Sequence, residues 1–417
     1  MTAAGVSGQI DHGVRQPVVT PAILVSRAQS LRERLLGEQE AAEALGHYSA
    51  QIHAEFLEAG FYHILTPRKY GGFEFDVPAY VKVIMEVGRG DPSTAWCLAL
   101  GSGHNLTLAA FWGEQAQDEI IQNPAGYFSA PHSAMPTGTA VPVDGGYIVS
   151  GRWDYCSGIP YATHFKGTAR VTGMGERPGA RVVVIPAGEF EILDNWGSGS
   201  ALGMQGSGSN SVVVQDVFVP KHHTVPFDWL DPVNVPHAPG ASLHDNPMYQ
   251  ARISGYYHME IVSSVVGAAR AAQDEYERLL MTRKTSRPPV IPRFQDDDFQ
   301  RDFGLVMAYA DAAEALLMRA AGLYMHYCDE AARDVQPFTY EMDMRLWALV
   351  QQAGRLASES VEHAWRTAGS SAGKRGERLQ RYYRDVSMYR QHIAAQPVTL
   401  ARYLTRNHFG IPSSPLG

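Results

Sequence analysis

Residues 145–158 read GGYIVSGRWDYCSG, and the rest of the chain divides around them. Tyr147, Val149, Trp153 and Tyr155 have the aromatic and β-branched character that suits a pleated, half-buried strand. Ser157-Gly158 is turn chemistry, so the strand is expected to stop where a small hydroxyl lets the backbone come close to another group. Just upstream, Val143-Asp144-Gly145-Gly146-Tyr147 signals a hairpin. THFKGTARVTG, RVVVIPAGEFEILD and SNSVVVQDVFVP follow as short runs broken by Gly, Pro and Asn. They predict further strands, and together a small barrel or sandwich over 125–236.

Helical patterns lie on either side. SRAQSLRERLLGEQEAAEALGHYSAQIHAEFLEAG carries apolar residues at helical spacing and ends on Gly60, a suitable C-cap. TPRKYGGFEFDVPAY reads as a loop, and a second helix is expected to start from Asp91-Pro92-Ser93. In that helix Ala99, Gly101, Ser102 and Gly103 weaken the helix but admit a close neighbour. Beyond the strands, four amphipathic segments, 247–284, 298–333, 341–369 and 379–406, imply an antiparallel bundle. The second is about 36 residues, on the order of 54 Å long. The predicted organisation is α+β, with an N-terminal helical domain (1–124), a β-domain (125–236) and a C-terminal four-helix bundle (237–417). SRPPVIPRFQDDD (286–298) reads as a mobile connection.

Composition narrows the function. The 417 residues are 45% hydrophobic and 19% charged, with a formal net charge of -8. That suits a soluble enzyme and disfavours nucleic acid, which needs a concentrated basic surface. A small-molecule substrate is expected. Cys97, Cys156 and Cys328 have no paired spacing, as expected of a reducing cytoplasm. The sequence shows neither the apolar run of a signal peptide nor about 18 uninterrupted apolar residues, so no membrane association is expected.

The order of helical domain, β-domain and bundle resembles the acyl-CoA dehydrogenase superfamily along nearly the whole chain. The motifs that carry the resemblance are EAGFYHILTPRKYGG (58–72), GRGDPSTAW (88–96), GGYIVSGRWDYCSG (145–158), LGMQGSGSNSVVVQDVFVP (202–220) and LQRYYRDVSMYRQH (379–392). Within the superfamily the chain is most similar to oxygenase components of two-component flavin-dependent monooxygenases, such as p-hydroxyphenylacetate and secosteroid phenol hydroxylases and dibenzothiophene monooxygenase. The resemblance implies reduced flavin (FADH2 or FMNH2) from a separate NAD(P)H-dependent flavin reductase, O2, a C4a-hydroperoxyflavin, hydroxylation of a small aromatic or heteroaromatic molecule, and a homotetramer. A dehydrogenase needs a carboxylate base, often in an acidic-Gly-Thr segment near the C-terminus. Here Arg384-Asp385 is followed by VSMYRQHIAAQ, and no Glu-Gly-Thr occurs. Three alternatives stay open: a flavin dehydrogenase or oxidase with an unlocated base, an N- or S-oxygenase, and a non-catalytic subunit on the same fold.

The resemblance also assigns roles. It implies that His392, seven residues after Asp385 and about two turns along one helical face, assists oxygen chemistry, and that Ser157 and Gly158 meet the reactive edge of the flavin. It places Trp96 and His104 beside substrate and flavin; their eight-residue separation turns about 80° on an ideal helix, and His104 is expected to bond a substrate hydroxyl. Trp153 is either core or flavin wall. Met204, Ser207 and Ser209 are flavin contacts or ordinary loop residues. Arg381 and Asp385 suggest an i,i+4 ion pair, while Arg384 and Asp385 are candidates for cofactor binding. WGSGSALGMQGSGSN (196–210) is no dinucleotide loop, because it precedes a strand rather than opening a helix. His222-His223 lacks a carboxylate or cysteine at useful spacing and reads as a surface turn, so no metal is expected. Met307, Met318 and Met325 read as core.

Overall fold

The computed structural model describes residues 19–411 apart from 174–178, 198, 229–236 and 251. The first helical run divides into α1 (Pro21–Ser30), α2 (Arg32–Leu45) and α3 (Ala50–Ala59). Gly46 and Gly60, at φ 89° and 82°, end α2 and α3 in the left-handed conformation that favours glycine. After α4 (Val77–Gly90), α5 (Pro92–Ser102) starts where the sequence predicts. The Asp91 carboxylate accepts from Thr94 N at 3.2 Å, and Pro92 fills the first turn, where its missing N–H is harmless. The helix then breaks at Gly103-His104 before α6 (Asn105–Phe111) and α7 (Glu114–Ile121). Trp96 and His104 therefore do not share one helix, and the ideal-helix angle between them does not apply.

Seven strands follow: β1 (His132–Val143), β2 (Gly146–Trp153), β3 (His164–Val171), β4 (Ala180–Pro186), β5 (Glu191–Ile192), β6 (Val212–Pro220) and β7 (Thr224–Pro226). They form one mixed sheet in the order β5-β6-β2-β1-β3-β4-β7, with β1 and β3 parallel, which is the form the expected barrel or sandwich takes. Asp144-Gly145 makes the predicted hairpin, with Val143 paired to Gly146 and Gly145 at φ 77°. Trp153 belongs to the core of this sheet: it is fully buried, and its Nε1 donates to Thr168 O at 2.9 Å.

The C-terminal part comprises α8 (Gly240–Leu243), α9 (Ser254–Thr282), α10 (Asp297–Ala332), α11 (Tyr340–Thr367), α12 (Arg378–Tyr389) and α13 (Pro397–His408). The 36-residue α10 matches the predicted rod. The fourth predicted segment is two helices, because the chain leaves helical geometry after Tyr389 and restarts at Pro397. One apolar core runs through helices from both ends of the chain, from Leu24 to Ala394, while the sheet keeps its own. Met318 and Met325 pack against the helical core, whereas Met307 is exposed. The 286–298 connection, expected to be mobile, is braced by Thr285 N to Ile291 O and Arg293 N to Arg283 O, 2.9 and 3.0 Å. No helix among the described residues is long and apolar enough to cross a membrane.

Candidate functional site

The strand that opens at Gly146 ends at Trp153, and Tyr155, expected to continue it, is exposed at φ 58°; beyond it Ser157-Gly158 is wedged between α5 and the 207–209 loop. Gly158, at φ 88°, donates its N–H to Ser207 O and Gly208 O, both at 3.1 Å, and a Cβ there would lie 2.7 Å from Cys97 O. Ser157 Oγ accepts from Trp96 Nε1 at 3.1 Å and lies 2.6 Å from Ser209 Oγ, itself 2.6 Å from Ser207 Oγ. Three hydroxyls carry three protons, and the two bonds among them use two. If the chain runs from Ser207 to Ser209 to Ser157, the Ser157 proton is left to donate outward.

Trp96 brings the histidine of the C-terminal motif to the same place. The rings of Trp96 and His392 meet edge to face, with centroids 5.6 Å apart. His392 is not on the face of α12: the helix ends at Tyr389, and His392 caps the short 3-10 turn Ile393–Ala395. Its Nδ1 accepts from Ala394 N at 3.1 Å, so the neutral ring carries its hydrogen on Nε2. Its exposed edge is backed by enough protein to lower its basicity. His258 on α9, which the sequence reading did not single out, stacks on Trp347 at 4.0 Å. Burial pulls its pKa to about 3, with a smaller contribution from the nearby His392.

The Gly-rich segment 196–210 supports this cluster. Met204 N donates to Asp385 Oδ1 at 2.6 Å, Gly206 N to Ser93 Oγ at 2.7 Å, and Gly208 N to Gly46 O at 2.8 Å. Asp385 is fully buried, and burial raises its pKa to about 8. The expected pairing of Arg381 with Asp385 gives way to one with Glu43, Arg381 Nε lying 3.1 Å from its Oε1. Arg384 reaches the same carboxylate at 2.6 Å, together with Leu202 O at 3.0 Å and Gln380 Oε1 at 2.8 Å. Its guanidinium thus ties α12 to α2 and to the Gly-rich loop.

At the other end of α5 lies a second, ionisable cluster. The small residues there admit it: a Cβ on Gly103 would collide with Glu260 Oε1 and lie 2.5 Å from Tyr80 OH. His104 Nδ1 lies 3.2 Å from Ala130 O, a pure acceptor, so Nδ1 donates and, in the neutral ring, Nε2 is an acceptor. That Nε2 lies 3.2 Å from Glu260 Oε2, a contact between neutral groups when the carboxyl is protonated. Burial favours the same state, holding Glu260 well above and His104 well below their ordinary ranges. Nδ1 of His104 is thus engaged within the chain and Nε2 stands against Glu260, so the expected direct bond to a substrate hydroxyl would have to displace Glu260. Lys166, fully buried on β3, donates to Thr107 Oγ1 at 2.6 Å and to His104 O at 3.3 Å. Burial lowers its pKa to about 7, against the pull of Glu260. His132 completes the group, Nδ1 3.2 Å from Tyr257 OH and Nε2 3.0 Å from Thr168 Oγ1. Lys166, Glu260 and His132 were missed because they sit on β3, α9 and β1 with no spacing to link them; a lysine inside FKGTARV was the one available signal.

The linked hydroxyls of Ser157, Ser209 and Ser207, a turn without a Cβ at Gly158, and the rings of Trp96 and His392 are a polar set that fits the edge of a flavin. Comparison with known proteins agrees. The family description "Acyl-CoA dehydrogenase, N-terminal domain" matches residues 24–122, and "Acyl-CoA dehydrogenase, C-terminal domain" matches 259–397. The chain is 28% identical over 355 residues, 85% of its length and 90% of the relative's, to the flavin-dependent monooxygenase oxygenase subunit HsaA of Rhodococcus jostii. It is 23% identical over 405 residues, 96% and 92% of the two chains, to the p-hydroxyphenylacetate 3-hydroxylase oxygenase component of Acinetobacter baumannii. The crystal structure of the HsaA monooxygenase from Mycobacterium tuberculosis superposes with a TM-score of 0.84 at 24% identity, over 95% of this chain and 99% of that one. The two family matches take in more than half of the residues, and the chain belongs to the acyl-CoA dehydrogenase family, in its branch of two-component flavin-dependent monooxygenases.

Proposed function

We infer that the chain is the oxygenase component of a two-component monooxygenase that takes reduced flavin from a separate reductase and hydroxylates an aromatic small molecule. The observation that carries this reading is the convergence of the Ser207–Ser209–Ser157 hydroxyl chain, Trp96 and His392 at one turn. Bound reduced flavin supplies the activation of O2, chemistry that no side chain provides. Ser157 and Gly158 would hold its polar edge, Trp96 would wall it, and the Nε2 hydrogen of the neutral His392 ring would donate a hydrogen bond at the same place. Sheltering that edge from water limits loss of the oxidant as H2O2.

The substrate class proposed is phenolic. An anion beside Lys166 would reverse the burial effect that holds the amine near neutrality, so protonated Lys166 favours an ionised, electron-rich ring. Glu260, held protonated, leaves no charge against His104, which would let His104 exchange partners with a substrate hydroxyl. A protonated Glu260 is also a poor base for a dehydrogenase.

The test is direct. Purified chain, a flavin reductase, NAD(P)H, O2 and a panel of phenols should give hydroxylated product only when the reductase is present. A yellow protein that oxidises substrate by itself would instead establish a dehydrogenase or oxidase. Turnover of thioethers or amines in place of phenols would move the reading to S- or N-oxygenation.

A further inference from the structure

The sequence reading dismissed His222-His223 for want of a third ligand, and the fold supplies one from 103 residues away. His222 and His223 occupy the 3-10 turn Lys221–His223 between β6 and β7, and Glu119 lies on α7. Adjacent residues usually point apart, yet this turn brings both Nε2 atoms to 2.7 Å from the same oxygen, Glu119 Oε2. The two rings stand nearly perpendicular with centroids 4.5 Å apart, and the three donor atoms all lie within 4.8 Å of one another. Gln115 Nε2 holds the other carboxylate oxygen at 3.0 Å, fixing the orientation of the group.

The chemistry suits a cation. Two imidazoles and a carboxylate are a ligand set for Zn2+ and its neighbours, with a fourth position for water, and not for Mg2+ or Ca2+, which prefer oxygen alone. Metal–ligand bonds of about 2.0–2.2 Å need the donors slightly farther apart than they stand. The exposed Glu119 side chain can open that triangle.

We propose that Glu119, His222 and His223 form a binding site for a divalent transition-metal cation of the Zn2+ class, which staples α7 to the sheet. The site is separate from the flavin and substrate residues, so its role is structural rather than catalytic. The experiment uses the full chain without an affinity tag, titrated with ZnCl2 and, as a control, MgCl2. One Zn2+ per chain should bind, and at about a hundredfold excess over Kd the thermal midpoint should rise by on the order of a few degrees. Bound Co2+ should give the intense visible bands of a tetrahedral site. Glu119→Gln and His223→Ala should lose the midpoint rise and the Co2+ spectrum while hydroxylating substrate at the wild-type rate in the absence of metal. Failure of the wild type to take up Zn2+, an equal effect of MgCl2, or uptake undiminished in both variants would overturn the proposal.

Discussion

The two ends of α5 present two different kinds of buried polarity. At the Trp96 end the groups are neutral: an indole N–H, three hydroxyls, a glycine turn and an imidazole on a partly exposed connection. At the His104 end they are ionisable and sealed in: a lysine, a glutamic acid and a histidine, the first two fully buried. Neutral donors can hold the edge of a cofactor that comes and goes without a charge being left stranded. The ionisable group is balanced internally by a carboxyl that keeps its proton and an amine held near neutrality, an arrangement that a substrate anion would unbalance. On the proposed function, the difference teaches that one helix would separate cofactor handling from substrate ionisation.

Removing the charge from the His104 end is the severest test of that division. Lys166→Met should lower kcat/KM for phenolic substrates by about a hundredfold, a typical effect of losing a positioned acid–base group, while oxygen consumption by reduced flavin stays near wild type. The wild-type kcat/KM should also fall as pH rises through about 7, where Lys166 loses its proton, and the variant should lack that limb. Equal losses in oxygen consumption and hydroxylation would break the comparison, because both ends would then serve one step.

At the Trp96 end, His392→Ala should slow oxygen consumption by about tenfold to a hundredfold in rapid mixing of reduced flavin with O2. Substrate affinity should not change. Ser157→Ala should act more mildly: one hydrogen bond of about 1 kcal/mol corresponds to several-fold, read as a larger share of consumed O2 released as H2O2. If neither variant alters oxygen handling, the Ser-Gly stop of the strand is only a turn.

How much of this was legible beforehand follows from the same division. The Trp96 end was readable because its residues lie in contiguous motifs: the Asp91-Pro92 helix start appears where the sequence puts it, and the strand ends at Trp153, four residues before Ser157. The three-part order of helices, strands and helices was equally plain. The failures occur where the backbone departs from ideal periodicity. A helical count carried through Gly103-His104 and past Tyr389 misplaced His104 and His392, although glycine and Pro397 marked both breaks. The sheet's parallel β1–β3 pairing and the partners of His104, His223 and Arg381 depend on contacts between distant segments, for which one sequence has no local signal.

The smallest expected effect concerns the bracket that holds the neutral end in place. Asp385 accepts from Met204 N and has its pKa raised to about 8 by burial. A carboxyl whose folded pKa exceeds its unfolded value contributes stability that is complete below the ordinary Asp range and is lost as pH rises through the folded value. The thermal midpoint should therefore decline between about pH 4 and 8. Asp91, raised to about 6 by burial, adds a decline of the same sign lower in that window. Asp385→Asn keeps the shape and the acceptor for Met204 N but cannot titrate, so it should flatten the part of the decline between about pH 6 and 8. A slope unchanged in the variant would mean that Asp385 is ionised in the folded chain, with Arg381 and Arg384 compensating it. The bracket under the Gly-rich loop would then be ionic, and the contrast between a neutral and an ionisable end of α5 would hold only for the groups that face the cofactor.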